Sequence, residues 1–250
     1  MSPWWKTFFE GNFSDFFLER DKKTTKAIIG FLVKKLSLKK GMIVFDQCCG
    51  IGSLSLALAR KGITTIGVDQ SAAYITHAKK EAKRYGLNCT FHSGDAFAFI
   101  PPKRCDAVIN WYTSFGYSRN DRKNMKMLAC AYKSLKSGGC IILDYYNISY
   151  IVKHFEPLHR EERNVRGKNF LITRFSEIDK KNGMLISTWT YCRPNGMEKV
   201  YIGETRMYTP SDFKKLFLKA GFTEIRLYGD TSGGALQKES PRCIIIGKKS

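Results

Sequence analysis

The stretch MIVFDQCCGIGSLSLALARKGITTIGVDQ, residues 42–70, predicts a strand, a glycine-containing turn, a helix and a second strand. The first apolar run ends at Asp46, and apolar residues at helical spacing begin after Ser53, which can cap the helix. Gly62 can end that helix, and the second apolar run closes on Asp69. A helix between two short apolar strands is typical of a parallel pair with a crossover connection.

The alternation of strand and helix continues on both sides of this stretch. An amphipathic helix is predicted at residues 24–38, a capped helix at 71–86, and a third amphipathic helix at 121–136 that the Gly138-Gly139 pair can end. Further strands are predicted in the runs CTFHS, CDAVIN and CIILDYY. Because the strands are largely continuous apolar runs, the sequence predicts an α/β fold of the Rossmann-like type, with a mostly parallel sheet covered by helices on both faces.

The pattern changes after residue 147. Alternating runs, separated by the turn signals Asn182-Gly183 and Asn195-Gly196, predict antiparallel hairpins. Helical spacing and two strands then return near the end of the chain. We therefore predict four regions: an N-terminal arm and helix (1–40), a cofactor-binding core (41–147), an antiparallel β insertion that covers a substrate or contacts a second subunit (148–205), and the completion of the core sheet (206–250).

The turn after the first strand has the features of a nucleotide site. Gly50 and Gly52 precede a helix, so backbone N–H groups can approach a ligand. Asp69 ends the second strand, where a carboxylate can accept hydrogen bonds from both ribose hydroxyls of an adenosine ligand. A dinucleotide site would have a third glycine where Ser55 stands, and the P-loop pattern is absent.

The motif DQCCGIG, residues 46–52, resembles the first motif of the class I, S-adenosylmethionine-dependent methyltransferases. Cys48 stands where glycine or alanine is usual in that family. The resemblance implies that S-adenosylmethionine is the cofactor and that the last helix and two strands complete a seven-stranded sheet. It also implies a set of cofactor-binding residues, namely Asp46, Cys48, Gly50, Gly52, Asp69, Gln70, Asp95, Ala96 and Asn110.

A narrower resemblance extends over nearly the whole chain. The segments WWKTFF, VINWYTSFGYSRNDRKNMKML, DYYN and SPRCIIIGKK resemble a bacterial group of small-molecule methyltransferases that includes sugar N-methyltransferase-like enzymes. Those enzymes carry a β insertion over the active site. The resemblance implies methyl transfer to nitrogen or oxygen of a small molecule and leaves the acceptor open.

Candidate catalytic residues follow from the rule that ligands bind at the carboxyl ends of strands in open α/β sheets. Tyr112, after the fourth strand, can place an aromatic face near a sulfonium charge. Asp144 and His154 can receive a proton from the acceptor, although Asp144 could instead anchor a strand and His154 could be a solvated surface residue. The sequence shows no nucleophilic triad and no HxxxH pair, so we predict no metal.

The net charge of the chain is compatible with a second type of methyl acceptor, a nucleic acid. Lys and Arg total 42 against 22 acidic residues, a formal charge of +20 that attracts nucleic acid or phosphorylated metabolites, or simply reflects a basic composition. No NPPY or DPPY tetrad and no catalytic cysteine in a Pro-Cys setting are present, so RNA is not the favoured partner. A non-catalytic binding protein with the same fold is a third hypothesis.

The remaining features predict a protein outside the membrane. No segment has the roughly 18 apolar residues that a membrane span needs, and the N-terminus lacks a basic leader, so we expect a cytoplasmic monomer or homodimer. The eight cysteines are scattered and are expected to be free thiols. The aromatic N-terminal arm could close over the site as a lid, but ordinary hydrophobic docking is the preferred interpretation.

Overall fold

The computed structural model describes residues 3–9, 21–165, 167–192, 196 and 198–250. The first part of the chain forms α1 (Trp5–Phe8), α2 (Lys22–Lys35), β1 (Ile43–Gln47), α3 (Ser53–Ala59), β2 (Thr64–Asp69), α4 (Ala72–Arg84), β3 (Cys89–Ser93), β4 (Cys105–Asn110) and α5 (Asp121–Ser134). The second part forms β5 (Leu135–Tyr146), α6 (Ile148–Lys153), β6 (Leu158–Val165), β7 (Lys168–Asp179), β8 (Met184–Cys192), β9 (Glu198–Arg206), α7 (Pro210–Lys219), β10 (Phe222–Tyr228) and β11 (Arg242–Lys249).

The core is a seven-stranded sheet in the order β10-β11-β5-β4-β1-β2-β3. Strands β3, β2, β1, β4 and β5 are parallel, and β11 runs antiparallel to both β5 and β10. The predicted Rossmann-like, mostly parallel fold is confirmed. The strand order reverses between β1 and β4, which is the point where ligands bind in open α/β sheets.

Buried apolar side chains cover both faces of this sheet. On one face Leu128 of α5 and Phe213 of α7 belong to the same cluster as Phe45 of β1. On the other face Leu32 of α2 and Leu58 of α3 form a second cluster. All five side chains are fully buried, so burial on both faces fixes the sheet between its helices.

The helix after the glycine turn begins differently from the prediction. Ser53 is the first helical residue, and Gly52 occupies the N-cap with a φ of 79°. A Cβ on Gly52 would lie 2.9 Å from the ring of Phe91, so this position accepts only glycine without movement. The hydroxyl of Ser71, in contrast, caps α4 by accepting the N–H of Tyr74.

The end of α5 and the start of β5 also differ from the prediction. The helix ends at Ser134, and the strand begins at Leu135 instead of after the Gly138-Gly139 pair. The ladder between β4 and β5 is irregular here, because Cys105 pairs with Leu135 whereas Ala107 pairs with Cys140. The two glycines therefore lie in a bulge within β5 and do not end the helix.

Strands β6 to β9 form a separate four-stranded antiparallel sheet in sequence order, as the hairpin signals predicted. Asn195, in one of the two predicted turns, lies outside the described residues. The outer face of this sheet exposes several apolar side chains, namely Leu158, Leu171, Phe175, Val200 and Ile202. The inner face faces a cavity above the core sheet. Within the described ranges, no helix is both long and apolar enough to span a bilayer.

Candidate active site

A cavity of about 480 Å³ lies at the carboxyl ends of β1, β2 and β4. Its volume is within the range of about 300–1,000 Å³ that is usual for small-molecule sites. Three groups of residues line it: the core loops, the N-terminal arm and the inner face of the β6–β9 sheet. The cavity therefore joins the predicted cofactor loops to the β insertion.

The floor of the cavity contains the predicted acidic residue of the first motif. Asp46 is buried, and its Oδ2 accepts the hydroxyl of Ser55 at 2.6 Å. Burial raises the pKa of Asp46 to about 7, since a charged carboxylate is disfavoured away from water. Cys48 and Gly50 follow with positive φ values of 64° and 56°, which turn the loop around the cavity. The loop that the sequence analysis expected to bring backbone groups next to a ligand thus lines the cavity.

Asp69 is the carboxylate expected to hold a ribose. Its Oδ2 accepts the N–H of Gly50 at 2.9 Å, and its Oδ1 accepts the N–H of Ser71 at 3.0 Å. Burial raises the pKa of Asp69, and these backbone N–H groups offset part of that rise. An ionised carboxylate has about four acceptor positions, so Asp69 can still accept from a ligand hydroxyl. The carboxylate lines the cavity and fits the role of a sugar-binding group.

The neighbouring predicted residues also line the cavity. The Gln70 side chain donates to the carbonyl of Trp5 and so ties the N-terminal arm to the cofactor loops. The Oδ1 of Asp95 accepts the N–H of Phe97 at 2.9 Å, which fixes the loop after β3. Ala96 lies beside Asp95 on the same wall. These groups form a surface that fits an adenine-bearing ligand.

Asn110 and Gly52 lie outside the lining of this cavity. Asn110 is fully buried, and its Nδ2 donates to Gln47 Oε1 at 3.1 Å and approaches the sulfur of Met127 at 3.3 Å. The sequence analysis expected the Asn110 side chain to contact the methionine end of the cofactor. In the structure this side chain instead contacts Gln47 and Met127 outside the cavity lining. Gly52 supports the loop by allowing helix α3 to begin close to β3.

Tyr112 and Asp144 lie next to each other, but only Tyr112 lines the cavity. Tyr112 and Thr113 both have left-handed backbones, with φ values of 60° and 59°. Asp144 accepts the N–H of Tyr112 at 3.0 Å and forms a two-point ion pair with Arg242. Arg242 also donates to the hydroxyl of Thr113 at 2.8 Å. In contrast to the expectation that it receives a proton, Asp144 holds the turn that presents Tyr112.

His154 lies at the rim of the cavity, beyond α6. Its Nε2 is 3.0 Å from a carboxylate oxygen of Glu239, and its ring packs against Tyr150 at 4.4 Å between centroids. The side chain is 45% exposed, so water reaches it. The structure therefore gives His154 an oriented imidazole beside the cavity.

The N-terminal arm forms one wall of the cavity. Trp4 donates from Nε1 to the carbonyl of Tyr117 at 3.3 Å, and Phe9 stacks on the Tyr117 ring at 5.8 Å. Trp5 lies under the ammonium of Lys123, which is 4.9 Å from its ring centroid. The aromatic side chains of the arm are thus docked against the core, as the preferred interpretation expected, and they line the cavity.

The β insertion supplies lining residues that the sequence analysis missed. They alternate along β7, β8 and β9 and comprise Arg174, Ser176, Leu185, Ser187, Trp189, Gly203 and Thr205. Period-two alternation was visible in the sequence, but it could not show which face of the sheet points to the core. Among the described residues, no group of three or more His, Cys, Asp or Glu side chains is placed to hold a metal ion.

Comparison with known proteins agrees with this geometry. Residues 44–139 match a family model described as a methyltransferase domain. This match agrees with the resemblance of the glycine turn, Asp69 and the sheet order to the class I, S-adenosylmethionine-dependent methyltransferases. Asp46, Asp69 and Asp95 line the cavity at the place where this resemblance puts S-adenosylmethionine.

Solved structures extend the similarity over nearly the full chain. The CcbJ methyltransferase of Streptomyces caelestis has a TM-score of 0.80 at 13% identity and covers 98% of this chain and 99% of its own. CalS10, an amino pentose methyltransferase of Micromonospora echinaspora solved with S-adenosylmethionine bound, has a TM-score of 0.70 at 16% identity and covers 91% of each chain. At these identities the likeness shows a shared fold.

A curated relative carries a different description. The uncharacterized RNA methyltransferase YwfF of Lactococcus lactis is 26% identical over an alignment of 190 residues that covers 66% of this chain. The chain spans 36% of the length of that relative and 15% and 20% of two further RNA methyltransferases. The shared segment is thus a part of longer proteins, and their acceptors are not transferred to this chain.

Proposed function

We propose that the protein transfers a methyl group from S-adenosylmethionine to a nitrogen or oxygen atom of a small polar molecule. The supporting observation is the continuity of one cavity from the loop after β1 to the inner face of the β6–β9 sheet. S-adenosylmethionine bound at Asp69 and a methyl acceptor bound beneath the β6–β9 sheet would share this enclosed space. The similarity of the fold to CalS10, an amino pentose methyltransferase, supports a small acceptor.

The walls of the cavity suit the demands of this reaction. S-adenosylmethionine supplies a methyl group activated on a positively charged sulfur. The protein must align the acceptor with that methyl group and exclude water. Tyr112, Tyr117 and Trp111 line the cavity near the end of β4, where their electron-rich faces can stabilise positive charge. Burial raises the pKa of Tyr117 well above its usual value, so this phenol stays neutral.

The methyl acceptor loses a proton during the transfer, and we propose that His154 receives this proton. The carboxylate of Glu239 orients the imidazole through its contact with Nε2. Asp144 is already committed to Arg242 and to the N–H of Tyr112. We therefore treat Asp144 as a residue that positions Tyr112, and His154 as the group that passes the proton to solvent at the rim.

An RNA acceptor is the second candidate, favoured by the +20 charge and by the description of YwfF. Two observations count against it. Trp4 and Phe8 of the arm line the cavity together with the β6–β9 sheet, which leaves less room for a strand to enter. Burial raises the pKa of Cys48 and Cys49 well above the usual thiol value, so neither thiol is a ready nucleophile for attack on a base.

The test compares acceptors in one assay. S-adenosylmethionine labelled in its methyl group is incubated with a panel of small amines and amino sugars and, separately, with total RNA. We expect label in small products, none in RNA, and no transfer by Asp69→Ala, while the surface control Asp230→Ala behaves as the wild type. Label in RNA alone would replace the small-molecule proposal, and no binding of S-adenosylhomocysteine to the wild type would reject the cofactor site.

A further inference from the structure

Arg174 brings a permanent positive charge to the cavity. It lies on the inner face of β7, after the buried residues Phe170 and Ile172 of the same alternating series. Its guanidinium carbon is 5.5 Å from the ring centroid of Trp189, its partner in the register of β8. Both side chains line the cavity. Trp189 thus supports the flat guanidinium of Arg174 and limits its movement.

The guanidinium of Arg174 has no counter-charge in the part of the chain that the structure describes. Its Nε is shielded from solvent and has no hydrogen-bond partner there. Two other arginines of the same sheet are paired, Arg163 with Glu161 and Arg206 with Asp121. Shielding a donor of a charged group without a partner costs free energy, so a bound anion is the natural partner for Arg174.

The surroundings of Arg174 determine where an anion can bind. Asp69 and Asp95, after β2 and β3, and Glu156, after α6, also line the cavity, and a negative charge on these carboxylates disfavours an anion beside them. Among the described lining residues, Arg174 is the sole arginine or lysine. The hydroxyls of Ser176 and Ser187 are 2.9 Å apart on the same inner face, so one donates to the other and the second hydroxyl hydrogen is left to donate to an oxyanion.

We propose that Arg174, with the Ser176–Ser187 hydroxyl pair, binds an oxyanion of the methyl acceptor, either a carboxylate or a phosphate. This inference rests on the proposed function and deepens it. The acceptor carries a nucleophilic nitrogen or oxygen at one end and a negative charge at the other. Arg174 is then a determinant of specificity that selects anionic acceptors and has no part in binding the cofactor.

The first experiment measures a matched pair of probes on the full chain saturated with S-adenosylhomocysteine. Benzoate and benzamide have the same shape and differ in charge, and phenyl phosphate provides the alternative oxyanion. We expect benzoate or phenyl phosphate to bind about tenfold or more tightly than benzamide, since a hydrogen bond to a charged group contributes roughly 1.5–3 kcal/mol. The tighter of the two anions identifies the carboxylate or the phosphate. Equal binding of all three probes, or no binding by either anion, overturns the proposal.

Substitutions of Arg174 test whether this residue causes the preference for an anionic probe. Arg174→Met should remove the discrimination between benzoate and benzamide, and Arg174→Lys should restore part of it. Arg160→Met is the matched control, because Arg160 pairs with Thr173 in the ladder and so points to the outer face. Retention of the preference in Arg174→Met overturns the proposal.

The affinity for S-adenosylhomocysteine separates this inference from the cofactor assignment. It should be unchanged in Arg174→Met, which also shows that this variant is folded. A large fall would mean that Arg174 holds the carboxylate of the cofactor, and the acceptor proposal would then be overturned. If the wild type fails to bind S-adenosylhomocysteine but still prefers benzoate, the proposed function fails while the anion site stands.

Discussion

Replacing Arg242 with methionine tests how the turn at Tyr112 is held. Asp144 is 3% exposed, so Arg242→Met leaves a buried carboxylate without its cation and removes the bond to the hydroxyl of Thr113. Breaking a buried pair by removing one partner costs about 3–5 kcal/mol. The Arg242 side chain is 28% exposed, and we therefore expect the lower end of that range, about 3 kcal/mol.

The assay is urea unfolding of the wild type, Arg242→Met, Asp144→Asn and the double variant. Asp144→Asn retains an acceptor for the N–H of Tyr112 and removes the charge. The double variant should lose clearly less stability than the two single losses combined, because no uncompensated charge remains. Turnover should also fall in Arg242→Met, since the strained φ values of Tyr112 and Thr113 then lose their supports. A loss below about 0.5 kcal/mol in Arg242→Met would refute the argument.

Three further predictions concern residues in and around the cavity. The raised pKa of Asp46 makes the charged form unfavourable in the fold, so the free energy of unfolding of the ligand-free protein should fall as pH rises from about 4 to about 7, by up to about 4 kcal/mol. Asp46→Asn should flatten that slope in urea unfolding at several pH values, and an unchanged slope would contradict the assignment. Gly52→Ala should destabilise the protein by about 1 kcal/mol or more and weaken S-adenosylhomocysteine binding in calorimetry, because its φ of 79° and the Phe91 ring oppose a side chain. Gly30→Ala, in open space within α2, is the control and should be neutral or stabilising. His154→Gln should lower kcat without changing the affinity for S-adenosylhomocysteine, and an unchanged kcat would exclude its role in proton transfer.

The sequence predicted the core well because its signals are local. Each parallel strand is an apolar run that ends in a turn, and the cofactor loop, Asp69 and Asp95 follow directly from those ends. The exact boundaries depend on packing instead. Gly52 occupies the N-cap position of α3 where Ser53 was expected. The ring of Phe91, which is distant in sequence, leaves no room for a side chain at Gly52. The Gly138-Gly139 bulge depends in the same way on pairing with β4.

The part of the site proposed to hold the methyl acceptor was harder to predict, because its contacts join residues that are distant in sequence. Asp144 pairs with Arg242, 98 residues away, and nothing local distinguishes such a carboxylate from a proton acceptor. Asn110 ends β4 as expected, yet its side chain turns to Gln47 and Met127 below the cavity. Arg174 belongs to an alternating strand whose inward face is decided by tertiary docking of the sheet.

The buried carboxyl of Asp46 links proton uptake to the charge of whatever occupies the cavity. With a pKa of about 7 it is partly protonated near neutral pH, and the sulfonium of a cofactor bound in this cavity would favour its ionised form. The uncharged thioether product exerts no such attraction. Binding of S-adenosylmethionine should therefore release a fraction of a proton to the buffer, and binding of S-adenosylhomocysteine should not. Calorimetric heats in buffers of different ionisation enthalpy would then diverge for the cofactor and coincide for the product.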